Sequence, residues 1–176
     1  MKFCANCAAP VVRRVPPGDS LPRHVCDQCG EIHYQNPRLV VGCIPEQDGR
    51  LLLCRRAIEP RYGYWTLPAG FMENGETTRQ GALRETLEEA GARVELGEAF
   101  SMISVPRVNQ VHLFFLSRVA DMPVKPGEET LEIRLFEESE IPWKEIAFRT
   151  VAMTLRHWFA DRSAGRVAFH VEDIAA

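Results

Sequence analysis

The chain has 176 residues, 45% hydrophobic and 26% charged, and its 21 basic and 24 acidic side chains leave a formal net charge of −3. This composition excludes a disordered or collagen-like chain. Its longest apolar stretches, such as residues 51–54 and 111–116, fall far short of the roughly 20 residues a bilayer-crossing helix needs. No apolar signal core stands in the first 25 residues, so a cytoplasmic protein is expected. The mildly acidic balance argues against broad binding to nucleic acid or anionic membranes.

The chain opens with two C-x2-C pairs, Cys4 with Cys7 and Cys26 with Cys29, separated by 18 residues. That spacing suits a four-thiolate zinc site, because each pair turns two sulfurs towards one centre and two pairs complete a tetrahedron with Zn–S distances of about 2.3 Å. Two disulfides in a secreted protein are the competing reading, and the missing signal core weighs against them. Between the pairs, Pro16, Pro17, Gly18 and Pro22 form a turn-rich excursion with little apolar material. Residues 1–34 therefore cannot fold on hydrophobic burial alone, and structural Zn2+ would supply the missing folding free energy. Cys43 and Cys54 lie singly in apolar runs and read as small buried hydrophobes.

A second domain, residues 35–176, begins with a β-branched strand over 38–44, a turn whose Asp48-Gly49 pair signals a hairpin, and a returning strand over 51–55. Residues 64–70 read as a short strand broken by Pro68 and Gly70. The helix predicted over 77–90 has marked ends: Thr77 with Gln80 matches a capping box, and Gly91 is placed to stop it. Strands follow over 94–97, 100–105, 110–118 and 133–137, then a helix over 148–161 and an edge strand over 166–170. The order is mixed α/β.

On the first helix, Glu85, Glu88 and Glu89 stand at i, i+3 and i+4 and project from one face within about 5–6 Å of one another. Like charges so placed need protonation, basic neighbours or divalent cations, and hard oxygen ligands grouped this way suit Mg2+ or Mn2+. A solvated acidic face is the alternative for the three glutamates taken alone.

The full pattern is more specific. Gly70, five residues, Glu76, seven residues, Arg84-Glu85, two residues, Glu88-Glu89, one residue and Gly91 reproduce the charged and glycine positions of the signature of the Nudix hydrolases, which this segment resembles. Thr86 and Ala92 depart from it, standing where the family usually has a bulky aliphatic residue. The resemblance implies an α/β/α sandwich around a mixed sheet and metal-dependent cleavage of a nucleoside diphosphate derivative at its pyrophosphate. It implies that Glu85, Glu88 and Glu89, with the Gly70 carbonyl, ligate Mg2+ or Mn2+, and that Arg84 and Glu76 position the helix and its carboxylates. It also implies a general base from one of these glutamates or from a later loop, where Glu128, Glu129 and Glu132 are candidates and Glu132 is favoured.

A zinc ribbon ahead of a Nudix domain resembles the NADH pyrophosphatases and a group of FAD and ADP-ribose pyrophosphatases. The NADH-cleaving group usually carries a Ser-Gln-Pro-Trp-Pro-Phe-Pro-like run after the box, where this chain has Ser101-Met-Ile-Ser-Val-Pro-Arg-Val-Asn-Gln. The resemblance therefore ranks ADP-ribose or FAD above NADH. Arg55, Tyr64, Trp65 and Arg107 are candidates to bind the ADP half, with Tyr62, Phe71 and Arg61 beside them, although core packing explains each aromatic equally well. A ligand sensor without catalysis would most cheaply have lost a box glutamate, and all three are present. A nucleic-acid-reading ribbon would cluster its basic residues, and of Lys2, Arg13, Arg14 and Arg23, with His24 and His33, only a part can form a patch. A homodimer is the oligomer such a family implies.

Overall fold

In the computed structural model residues 1–120 and 124–175 are described, and the chain divides into two compact units, Met1–Pro37 and Arg38–Ala176. The first is a three-stranded antiparallel sheet of β1 (Val11–Arg14), β2 (Arg23–Cys26) and β3 (Ile32–His33), in that order. It buries only Cys4, Pro16, Val25 and Cys26, too little apolar surface to offset the entropy of ordering such a segment. Its two C-x2-C turns are built alike. The Ala8 N–H donates to the Cys4 carbonyl at 3.0 Å and the Gly30 N–H to the Cys26 carbonyl at 2.9 Å, with Ala8 and Gly30 both left-handed at φ 61° and 76°.

The second unit continues with β4 (Arg38–Gln47), β5 (Arg50–Arg56), β6 (Trp65–Thr66), β7 (Ala69–Phe71), α1 (Thr78–Ala90), β8 (Val94–Val105), β9 (Gln110–Val119), β10 (Thr130–Phe136), α2 (Arg149–Ser163) and β11 (His170–Asp173). The eight-stranded sheet runs β10-β5-β4-β9-β8-β11, with β6 on β5 and β7 on β4. It is mixed, because β4–β9 and β8–β11 are parallel and the other pairs antiparallel. Strand alternation sends Val41 and Cys43 towards α1, where they pack with Ala82, and sends Ile44, Leu51 and Leu53 to the other face against Val151, Leu155 and Phe159 of α2. The result is the α/β/α sandwich expected.

Local signals in the sequence act as read. Thr77 caps α1, accepting the Gln80 N–H at 3.2 Å while Gln80 Oε1 accepts the Thr77 N–H at 2.8 Å, and Gly91 ends the helix at φ 57°. Asp48 and Gly49, left-handed at φ 51° and 78°, form the two-residue turn between β4 and β5. Residues 94–105 are one strand rather than two, irregular between Leu96 and Ser101. The edge strand also differs from the one predicted over 166–170: pairing with β8 starts only at His170, opposite Ser101. The cause is Asp161. Its carboxylate accepts the Ala168 N–H at 2.8 Å and His170 Nε2 at 2.9 Å, while its carbonyl accepts the Arg166 N–H, so residues 166–169 stay at the end of α2. Among the described residues no helix is long and apolar enough to cross a membrane.

Asp161 is buried, which alone would raise its carboxyl, but the hydrogen bonds from His170 and Ala168 outweigh burial and hold it below its ordinary value. Its stabilising contribution is therefore complete above about pH 4 and is lost as pH falls through the depressed value. Asp161→Ala should cost about 2–4 kcal/mol at neutral pH, read as a lower urea midpoint. A loss below about 0.5 kcal/mol would show that this carboxylate does not hold the segment.

Candidate active site

The signature folds as strand, loop and helix: β7 pairs with β4, placing Gly70 opposite Val41, and α1 runs back over the sheet. A Cβ on Gly70 would collide with the Glu85 carboxyl group, so the missing side chain lets that carboxylate lie over the strand. Glu89 is buried, its Oε2 accepting the Ala69 N–H at 3.0 Å. Burial pushes its carboxyl up to about 8, and burial likewise raises that of Glu85. Glu88 stands at the surface.

Arg84 ties the cluster together. Its guanidinium donates to both oxygens of Glu76 at 3.0 and 2.8 Å, to Glu85 at 2.7 Å, to Glu88 at 3.0 Å and to the Phe71 carbonyl at 3.2 Å. That contact and the Glu73 N–H hold the Glu76 carboxyl down to about 2. Glu76 therefore anchors Arg84, which in turn fixes the carboxylates on α1.

These groups border a cavity of about 900 Å3. Among the described residues Glu73, Glu85, Glu88, Glu89, Glu128 and Glu129 line it, against two arginines, Arg56 and Arg84. Away from them the walls are apolar and aromatic, with Phe71, Phe114 and Phe148. The segment before β10 brings Glu128 and Glu129 in by backbone packing. The Gly127 N–H donates to the Glu89 carbonyl at 3.1 Å, and a Cβ on Gly127 would collide with the Glu88 carbonyl oxygen, so only glycine lets the segment approach α1 this closely.

The fold thus brings Gly70, Arg84, Glu85, Glu88, Glu89, Glu128 and Glu129 to one cavity. Glu132 does not line it; it stands across from Arg55 in the β10–β5 register and pairs with that guanidinium at 3.6 Å. Arg55, Tyr64, Trp65 and Arg107 lie off the cavity as well. Trp65 is a core residue packed edge-on against Phe136 at 4.9 Å, Tyr64 lies under Arg61, and Arg107 sits on the single turn Pro106–Val108. Sequence reasoning named Phe71 only as a subsidiary candidate and missed Arg56, Gln110, His112 and Gly127. Strand parity offers a signal for Gln110, His112 and Phe114, which alternate on β9, but not for which sheet face holds the cavity.

In the first unit the sulfurs of Cys4, Cys7, Cys26 and Cys29 all lie within 4.8 Å of one another, with Cys4 and Cys29 at 3.7 Å and Cys7 and Cys26 at 3.5 Å. A zinc tetrahedron with Zn–S near 2.3 Å has sulfurs roughly 3.8 Å apart, so the donor set fits that ion. Burial would raise the Cys4 thiol, but backbone N–H groups of Cys7 and Asn6 and the His33 ring bring it down to about 6, favouring the thiolate a metal needs. Cys43 and Cys54 are free and buried.

Comparison with known proteins agrees with this architecture. The family described as NUDIX domain matches residues 36–159, and the one described as Nudix N-terminal matches residues 2–35. A crystal structure of a Nudix hydrolase from Nitrosomonas europaea superposes with a TM-score of 0.96 at 53% identity, covering 99% of each chain. The NAD-capped RNA hydrolase NudC of Chromobacterium violaceum is 35% identical over 133 residues, 74% of this chain and 48% of its own length. The ADP-ribose pyrophosphatase of Methanocaldococcus jannaschii is 32% identical over 113 residues, 62% of this chain and 67% of its own. The chain belongs to the Nudix family. Within it, the chain is of the kind that carries a Nudix N-terminal ribbon, and it spans about half the length of the NudC relative.

Gly127→Ala should lower stability by about 1–3 kcal/mol through overpacking against a carbonyl that cannot yield, and an unchanged urea midpoint would refute the close approach. Metal analysis of the purified chain should find about one zinc, and Cys26→Ser should lose it together with the protection of ribbon amides from hydrogen exchange. A zinc-free variant with unaltered exchange would sink the structural-metal reading.

Proposed function

We propose that this chain is a divalent-cation-dependent pyrophosphohydrolase that cleaves the pyrophosphate of a nucleoside diphosphate derivative, with ADP-ribose or FAD preferred and AMP released. The observation that carries the reading is the acidity of the cavity: among the described residues six glutamates and two arginines line it, and the most buried glutamate, Glu89, has a backbone N–H as its hydrogen-bonding partner. Such a site rejects an anionic pyrophosphate unless cations accompany it. Hard oxygen donors at this spacing suit Mg2+ or Mn2+, held by Glu85, Glu88, Glu89 and the Gly70 carbonyl. A cation there neutralises charge on the phosphoryl oxygens. Arg84, braced by Glu76, keeps the carboxylates in register.

The proton acceptor for the attacking water is assigned to Glu129, with Glu128 beside it, because both line the cavity whereas Glu132 is engaged by Arg55 outside it. Phe71, half-exposed on the cavity wall, replaces Tyr64 and Trp65 as the aromatic surface for the ADP half. The division into a Zn2+ ribbon over 1–34 and a hydrolase domain over 35–176, a homodimer and a cytoplasmic location complete the proposal. NADH is the competing substrate, and the name of the NudC relative adds NAD-capped RNA.

The test is product analysis by chromatography after incubating metal-stripped, Mg2+-supplied and Mn2+-supplied protein with ADP-ribose, FAD, NADH and a deoxynucleoside triphosphate. Metal-dependent AMP from ADP-ribose or FAD is expected. Glu88→Gln should lose several kcal/mol of charge stabilisation and hence roughly 100-fold or more in kcat, with the fold retained. Preferential cleavage of NADH would overturn the substrate ranking, and undiminished turnover by Glu88→Gln would overturn the site.

A further inference from the structure

On the β9 side of the cavity stands a chain of neutral polar side chains. His112 Nε2 lies 3.0 Å from Gln110 Oε1, and His112 Nδ1 lies 3.0 Å from the Thr150 hydroxyl at the start of α2. A carboxamide oxygen can only accept, so Nε2 carries the ring proton and donates it; Nδ1 of the neutral ring then accepts from Thr150. His112 and Thr150 are buried, and burial pulls the imidazole down to about 4, so the ring is neutral at pH 7. With its oxygen engaged, Gln110 has its amide N–H groups left for a ligand. Among the described residues they meet no protein acceptor, and Gln110 lines the cavity.

The sheet register sets what lies opposite. Phe71 on β7, Val40 on β4 and His112 on β9 form one row across three strands, which separates Phe71 from His112 by roughly 10 Å. The Phe71 ring is half-exposed and carries the Arg38 guanidinium at 4.2 Å. Gln110 stands opposite Arg38, about 7 Å further along β9 than that row. An aromatic wall and a fixed neutral donor so placed suit a planar, uncharged heterocycle. The neutral carboxamide of Gln110 is itself a poorer match for a phosphate than a guanidinium fork would be.

We infer that Gln110, oriented by His112 and Thr150, is the specificity-determining donor that reads a ring-nitrogen acceptor on the adenine of the substrate. This rests on the hydrolase reading above. Gln110 touches the substrate; His112 and Thr150 are positioning residues. A substrate lacking the acceptor leaves the amide unpaired in a desolvated site, which is how a polar reader rejects an analogue of equal shape.

The experiment is equilibrium titration, with Mg2+, of the non-hydrolysable methylene analogue of ADP-ribose and its 1-deaza, 3-deaza and 7-deaza adenine forms. Wild type should bind one deaza form about tenfold more weakly than the parent, the size of one hydrogen bond. Gln110→Leu should bind the parent about tenfold more weakly and no longer distinguish it from that deaza form. In turnover of ADP-ribose, Gln110→Leu should raise KM by a similar factor with kcat within about twofold, because the contact is made equally in ground and transition states. Thr150→Val should reproduce the KM effect, and Thr150→Ser, which keeps the hydroxyl, should restore wild-type discrimination. Folding of each variant is checked by its urea midpoint. Wild-type binding of the parent by Gln110→Leu, or equal discrimination among deaza forms by variant and wild type, would overturn the inference while leaving the hydrolase reading intact. Failure of wild type to bind any of the four analogues would overturn that reading, and this inference with it.

Discussion

The contact on which the site depends is the guanidinium of Arg84 among three carboxylates. Two like charges about 5–6 Å apart repel by roughly 3 kcal/mol at an effective dielectric constant near 20, and the box places several such pairs on one turn of helix. Arg84 offsets this by meeting Glu85 and Glu88 on one side and, through a two-point contact, Glu76 on the other. Because Glu76 also accepts the Glu73 N–H, the loop before α1 is tied to the same cation. The geometry of loop, helix and carboxylates is thus one electrostatic unit. Glu89 stands outside this pairing, buried on the Ala69 N–H, and burial raises its carboxyl to about 8.

Backbone packing supplies what electrostatics cannot. Two carboxylates from a distant segment join a cavity that is already acidic, and they are held there by Gly127 resting against the last turn of α1 and by the Ala57 N–H donating to the Glu129 carbonyl. Neither restraint uses the carboxyl groups, which the proposed function needs free. A site whose charges were positioned by their own ion pairs would have no such freedom.

The parts of this architecture legible in the sequence were those written in local spacing. The box, the Thr77 and Gln80 cap, the Asp48-Gly49 turn and the paired cysteines each need only a few neighbouring residues, and each is found where the spacing places it. The parts that were not legible depend on contacts remote in sequence. Alternation shows that Arg55 and Arg56 point to opposite sides of β5 but not which side holds the cavity, so Arg55 was read as a ligand-binding residue and Arg56 was not. The same ambiguity assigned binding roles to Tyr64 and Trp65, although a strand buried against α2 turns Trp65 into the core. Glu132 reads as a base candidate from its place in the segment beyond the box, yet the β10–β5 register gives it Arg55 as a partner. The late start of β11 could not be foreseen without the buried acceptor at Asp161.

The two units also differ in the kind of ion their chemistry demands. The first buries four residues in a segment of 37 and gathers four sulfurs, one already shifted towards thiolate, so its metal would be part of its folding free energy. The second buries large apolar clusters on both faces of its sheet, burial enough to fold it without help from an ion. Arg84 answers the carboxylates of Glu76, Glu85 and Glu88, so under the proposed function a cation there would be exchangeable and its loss an event of function rather than of structure. One chain therefore combines a cluster of soft ligands suited to a metal that specifies a fold with an acidic cavity that backbone packing and Arg84 hold together by themselves.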